Sequence, residues 1–250
     1  MKKNNAINLP LLLLFLASFT NPSCAQNSLF LGARSFALAN SSSTISDEFS
    51  LFNNPGSLGY VEEGSISFGY LNPYNVEGLN SVFTSFSKSL KHGCASIGVY
   101  RFGDEIFQQS KLTMGFGNNF GIASLGGSIN YNHFSIEGFG SHGFISLDIG
   151  GLAKLSPSVL ISGSIKNVTQ ARISRSTGEY LPTVMSVGIS FLTSDQLALY
   201  SQYDKNLQYP GQLNFGVEYT YSVLVLRTGL ITDPSILSFG IGFHHKKFKK

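Results

Sequence analysis

The chain has 250 residues with 17 basic and 14 acidic side chains, a net charge of +3 and a mean hydropathy of +0.11. Charged residues make up only 12% of it, against ~25% in ordinary soluble proteins, which excludes a densely charged soluble surface and a basic nucleic-acid footprint. No run approaches the ~20 apolar residues of a spanning helix, which excludes a helical membrane protein.

Lys2 and Lys3 precede an apolar stretch from Leu9 to Phe19, and Ser23-Cys24-Ala25 puts small residues before Gln26. Residues 1–25 therefore read as a secretory signal peptide. Lipoprotein processing at Cys24 is the alternative, opposed by Asn21 where a lipobox carries Leu. Cleavage removes two lysines and no acid, lowering the net charge from +3 to +1. It also leaves Cys94 as the single cysteine, with no disulfide framework or cysteine metal site to form.

Residues 26–63 carry no strand pattern. Ser46 is placed to cap a short helix, with Asp47 and Glu48 in its first turn. Phe49 and Phe52 then share a face, and Asn54-Pro55 starts a new turn. The segment is either a leader into the first strand or a plug in a barrel mouth. In the second case Phe49, Phe52, Asn54 and Pro55 are its packing and capping residues.

From residue 64 onward the chain alternates apolar and polar residues with the period of β-strands. The pattern predicts twelve strands, near 64–71, 79–89, 92–102, 107–118, 120–132, 142–153, 158–168, 182–192, 195–205, 211–221, 223–231 and 235–247. Most are longer than the five or six residues of ordinary strands and suit the ~9–11 of bilayer-crossing ones. Longer connections such as "NPYNVEG", "NHFSIEGFGS" and "NVTQARISRSTGEYL" alternate with tight ones such as "NNFG", "TSD" and "YSVL". That matches extracellular loops and periplasmic turns.

In "QLNFGVEYTYS" Leu213, Phe215, Val217, Tyr219 and Tyr221 oppose Gln212, Asn214, Gly216, Glu218, Thr220 and Ser222. The polar face throughout is Ser, Gly, Asn and Gln, suited to a crowded lumen, so the apolar face is expected to meet lipid. Tyr70, Tyr100, Phe102, Phe107, Phe120, Tyr131, Tyr203, Tyr219 and Tyr221 lie toward strand ends, as interfacial girdles do. The expected fold is all-β: a closed outer-membrane barrel of about twelve antiparallel strands over residues 64–250, with a short N-terminal plug. Alternation directs Lys111, Asp148, Lys166, Asp204, Glu218 and Arg227 into the lumen. A turn at Tyr221-Ser222 would make Glu218 and Arg227 diagonal neighbours across a hairpin.

"GARSFALANSSSTISDEFSLFNNPGSLG" resembles the N-terminal pattern of the PorV/PorQ branch of the FadL superfamily. Gly32, Ala33, Arg34, Asp47, Asn54, Pro55 and Leu58 occupy the matching places. "LPTVMSVGISF", "YPGQLNFGVEYTYSVLVLRTGL" and "SFGIGF" extend the resemblance over about residues 29–243. It implies a barrel with its N-terminal segment folded inward, in the outer membrane of a Bacteroidetes-like Gram-negative bacterium. Relatives generally carry further strands and end on an aromatic, whereas this chain ends "FHHKKFKK".

Nothing in the sequence assembles an active site. His92, His133 and His142 fall near turns, and the adjacent His244 and His245 would face opposite ways along a strand. Gly-rich "GFGNNFG" lacks the strand–loop–helix setting of a phosphate loop. The expectation is a non-enzymatic protein without cofactor or metal. The resemblance implies an accessory of type IX protein secretion, with secretion components or cargo as partners. A FadL-like passive channel for hydrophobic small molecules is the alternative. Outer-membrane lipid is a partner in either case.

Overall fold

The computed structural model describes residues 30–72, 76, 78–173 and 178–243. The expected signal peptide, His244, His245 and the final lysines lie outside them. Twelve strands follow in chain order: β1 (Ser65–Leu71), β2 (Ser81–Leu90), β3 (Gly93–Gly103), β4 (Phe107–Asn119), β5 (Ala123–Ile136), β6 (Gly140–Ser156), β7 (Val159–Lys166), β8 (Val184–Leu192), β9 (Leu197–Asn206), β10 (Gln212–Tyr221), β11 (Leu224–Thr232) and β12 (Ser235–Phe243). Each pairs antiparallel with its sequence neighbours in one sheet ordered β1 to β12.

The alternation resolves into two environments. Along β10, Leu213, Phe215, Val217 and Tyr219 are exposed, while Gln212, Asn214, Gly216 and Glu218 are buried. Elsewhere Ile66 is 80% and Val187 62% exposed, whereas Asn130 and Gln202 are each 1% exposed. This inverts a soluble protein, and it is stable only where lipid covers the apolar side.

Two expectations need correction. Residues 132–141 form no long loop: β5 and β6 continue as paired strands to Ile136 and from Gly140. Among the described residues the closed barrel is also not reached by backbone pairing, since β1 pairs with β2 and β12 with β11 and no pairing joins β1 to β12. The two edges nevertheless face each other across one cavity of about 1060 Å³. The wall is thus a barrel with a seam. Side-chain alternation reports what each face of a strand touches, not whether its edge finds a partner.

The N-terminal segment fills the inside. It contains α1 (Ala33–Ala37), α2 (Ser50–Asn53) and a 3-10 helix (Pro55–Tyr60). The helix expected from Ser46 begins instead at Ser50. Asp47 accepts the Phe49 N–H at 3.0 Å, and Ser50 Oγ accepts the Asp47 N–H at 2.9 Å, which closes a tight turn first. Asn54 Oδ1 accepts the Gly56 N–H at 3.0 Å with Pro55 at the first position, a standard cap. Leu31, Phe49, Leu51, Phe52 and Leu58 from this segment pack on Phe83, Cys94 and Tyr100 of the wall. The apolar core therefore sits inside the barrel, between hatch and wall. Each such side chain contributes about 1.5–3 kcal/mol on full burial.

Candidate functional site

The hatch is fastened to the wall by polar contacts that span most of the chain. Asn54 is fully buried and donates to Ser43 O at 2.7 Å and Gly151 O at 3.2 Å. Ser124 Oγ donates to Gly56 O at 2.5 Å, Ser85 Oγ to Glu48 O at 2.6 Å, and the Ser43 N–H to Gln202 at 2.9 Å. Close approach is possible because the wall is glycine there. A Cβ at Gly126 would strike the Pro55 carbonyl, and one at Gly150 would strike Asn54. Pro55 and Asn54 therefore mark where the hatch lies against β5 and β6.

The strongest attachment is ionic. Arg34 of α1 grips Glu218 of β10 with both arms of its guanidinium: Nε donates to Oε2 at 2.9 Å and Nη2 to Oε1 at 2.6 Å. Nη2 also donates to the Tyr200 hydroxyl at 3.2 Å, and Asp47 lies 4.0 Å from Nη1. From the other side Arg227 Nε donates to Glu218 Oε2 at 2.6 Å. Two arginines and two carboxylates thus balance in charge. Bidentate Arg–carboxylate geometry fixes direction as well as distance, which suits a lock. Glu218 sits directly opposite Arg227, not diagonally, because the turn residues are Ser222-Val223 with Ser222 at φ 58. The turn centre moves by one residue, and both side chains keep their side of the sheet.

The remaining lumen-directed charges are held separately. Asp204 accepts from Ser186 at 2.5 Å, Gln202 at 2.8 Å and Asn214 at 2.6 Å. Asp148 accepts from Asn130 at 2.9 Å and from the Asn167 N–H at 2.8 Å. The Lys111 ammonium lies 5.5 Å from the Phe52 ring centroid and that of Lys166 lies 3.9 Å from the Phe30 ring. Phe49 stands edge-on to Phe83 at 5.4 Å.

Two cavities meet at the lock. The seam cavity is bordered by Phe68 and Tyr70 of β1, Phe239 and Ile241 of β12, and Arg34 and Arg227 on its inner side. A second, of about 470 Å³, lies beside the tight β6–β7 and β8–β9 turns and is also lined by Arg34, with Tyr200 and Glu218. Arg34 therefore stands between the seam and the short-turn end of the barrel. Unpaired backbone at membrane depth is tolerated where it lines a cavity that water can enter, and both edges border the seam cavity.

Sequence reasoning missed Arg34 as a lock, although it belonged to the quoted motif; its partner is 184 residues away. It also put Tyr100, Phe102 and Phe107 in the girdle. Tyr100 is 3% exposed and directed inward, and Phe102 and Phe107 share that inner face. Strand parity would have separated them from Tyr70, Tyr131, Tyr203 and Tyr219, which point outward.

No family model matches the sequence, and no curated protein does either. Among solved structures the chain is similar to the CymD monoaromatic hydrocarbon channel. The TM-score is 0.64 at 13% identity, covering 89% of this chain and 91% of that one. At that identity the likeness is one of fold. The chain has the architecture of an outer-membrane β-barrel.

Proposed function

We propose that this protein is a passive outer-membrane channel for hydrophobic small molecules, which cross the wall at the β1–β12 seam. The observation that carries this reading is the seam itself. Its cavity of about 1060 Å³ has an apolar outer rim and ends inward on Arg34. Phe68, Phe239 and Ile241, exposed at 70%, 76% and 69%, would receive a lipid-soluble molecule from the bilayer side. Arg34 would then control passage toward the short-turn end, taken as periplasmic. The fold neighbour supports a channel over a secretion accessory.

The type IX accessory role rests on the N-terminal pattern. The structure gives those residues internal work: Arg34 and Asp47 in the lock, Asn54 and Pro55 against the wall, and Leu58 fully buried. They are accounted for by hatch folding, without a secretion partner. The test is uptake of a radiolabelled apolar aromatic by cells with and without the protein in their outer membrane. Ser238→Trp, which places a ring in the seam cavity, should slow uptake at unchanged protein level and unchanged gel mobility of the unboiled barrel. Equal uptake with and without the protein would refute the channel. Loss of secreted surface proteins on deletion would favour the accessory role instead.

A further inference from the structure

The hatch bridges the seam from inside. On the β12 side Ala37 of α1 lies flush with the wall, where a Cβ on Gly240 would strike its methyl group. Leu38 and Ala39 lie as closely against Gly229 of β11. On the β1 side the Phe83 ring of β2 covers Gly69, and Phe49 stands edge-on to Phe83 with centroids 5.4 Å apart. Phe49 also packs on Gly32 at the start of α1, where a φ of 107 and the nearness of the ring both demand glycine. A line of contacts thus runs from Gly240 through α1, Gly32, Phe49 and Phe83 to Gly69. It passes behind the gap, and Ala33, Phe36 and Ala37 line the inner side of the seam cavity.

The two edges are built to pair. Twelve strands, each antiparallel to the one before, leave β1 and β12 running in opposite directions, so they can bond directly without a further strand. Their outward side chains lack a neighbour: Phe239 of β12 is 76% exposed, against 43% for Phe215 inside the sheet. Unpaired backbone is costly at membrane depth, and direct pairing would remove both edges at once. What opposes it is the hatch, which is anchored to both sides of the lumen. Arg34 holds α1 to Glu218 of β10, while Leu51 and Phe52 press on Gly115 of β4 and Gly98 of β3.

We infer that the hatch is a wedge and the seam a gate: with Arg34 on Glu218 the wall is held open toward the bilayer, and release of α1 lets β1 and β12 pair and shut it. The two states open in opposite directions. A docked hatch fills the lumen while the seam stands open. A released hatch clears the way toward the short-turn end while the seam is shut. Cargo taken from the bilayer then crosses without a hole through the whole membrane at any moment. That use of the gate rests on the seam being the cargo's way in, whereas the strand pairing itself can be measured without any cargo.

The test is disulfide crosslinking of the full-length barrel in outer-membrane vesicles. Buried Cys94 is replaced by Ala, and cysteines are placed at outward Tyr70 and, in turn, at Leu237, Phe239 or Ile241. Scanning β12 allows for the register, since opposite residues of paired strands have Cα atoms about 4.5–5.5 Å apart, within disulfide reach. Copper phenanthroline should crosslink at least one pair tenfold faster or more in Arg34→Met than with Arg34 intact, and Arg34→Lys should fall between. Phe49→Ala, which shortens the wedge without touching the ion pair, should also speed crosslinking. Unboiled gel mobility checks that each variant is folded. Equal crosslinking in the parent and both variants would overturn the gate, as would its absence in Arg34→Met once hydrogen exchange shows the hatch released. Uptake of the apolar aromatic that stops with the disulfide and returns on reduction would support gate and route together. A disulfide that forms as expected yet leaves uptake unchanged would keep the gate and remove the seam as the route.

Discussion

Replacing Arg34 by Met should unlock the hatch. The change keeps the aliphatic stem and deletes two charge-assisted bonds to Glu218, at 2.9 and 2.6 Å, and one to Tyr200 at 3.2 Å. Hydrogen bonds to charged groups are worth about 1.5–3 kcal/mol each. Two features lower the total. Arg34 is 31% exposed, so water replaces part of what is lost, and Glu218 keeps Arg227 at 2.6 Å and is not left unpaired. The expected cost to hatch docking is about 2–3 kcal/mol. At ~1.4 kcal/mol per factor of ten, hatch opening should rise roughly 30- to 150-fold. Arg34→Lys keeps the charge but loses the fork, and should fall between Met and wild type. Hydrogen exchange of the amides of residues 33–58, measured against those of β4 and β5, reads the effect directly. Hatch amides should lose protection while strand amides keep it. Wild-type protection of the hatch in Arg34→Met would refute the lock, and a uniform loss across hatch and strands would show that Arg34 holds up the barrel as a whole.

Val187 lies on the outward face of β8 at 62% exposure. Val187→Arg should therefore cost about 2–4 kcal/mol in urea unfolding of the lipid-embedded protein, and a loss below about 1 kcal/mol would mean that this face meets water. Asp104, in the β3–β4 connection, accepts the N–H groups of Phe107 at 3.0 Å and Ile106 at 2.9 Å, which hold its carboxyl below the usual range. A depressed folded pKa contributes stability above the unfolded value, lost as pH falls through the folded one. The protection factors of those two amides should accordingly decline only below the ordinary carboxylate range, and Asp104→Asn should make them independent of pH; pH-independent amides in the wild type would contradict this.

Twelve strands could be placed from the sequence because lipid and lumen select opposite residue types at successive positions. Met185, Val187 and Phe191 against Ser186, Gly188 and Ser190 leave only one way for β8 to face. Sidedness survived even where the turn did not. The Ser222-Val223 turn shifts pairing by one residue on each strand, and Glu218 and Arg227 still meet. The local cap at Asn54-Pro55 was equally legible, since a cap depends on neighbours two residues away.

What the alternation does not encode is contact between distant parts of the chain. Whether β1 meets β12 depends on curvature summed over the whole sheet and on what fills the lumen, and no residue of either strand signals it. The extension of β5 and β6 past residue 132 depends on pairing that continues beyond the membrane, where the apolar–polar contrast weakens. The inward rings of Phe102, Phe107, Phe134 and Phe144 come from four strands, and only their mutual register brings them side by side. Arg34 finds Glu218 because a five-residue helix is packed behind the β11–β12 edge, with Ala37 against Gly240 and Ala39 against Gly229. Periodicity along the chain thus determined the strands and their faces, because each residue's environment selects its type. Closure and lock were decided by the tertiary structure, because they are made between residues that share no local pattern.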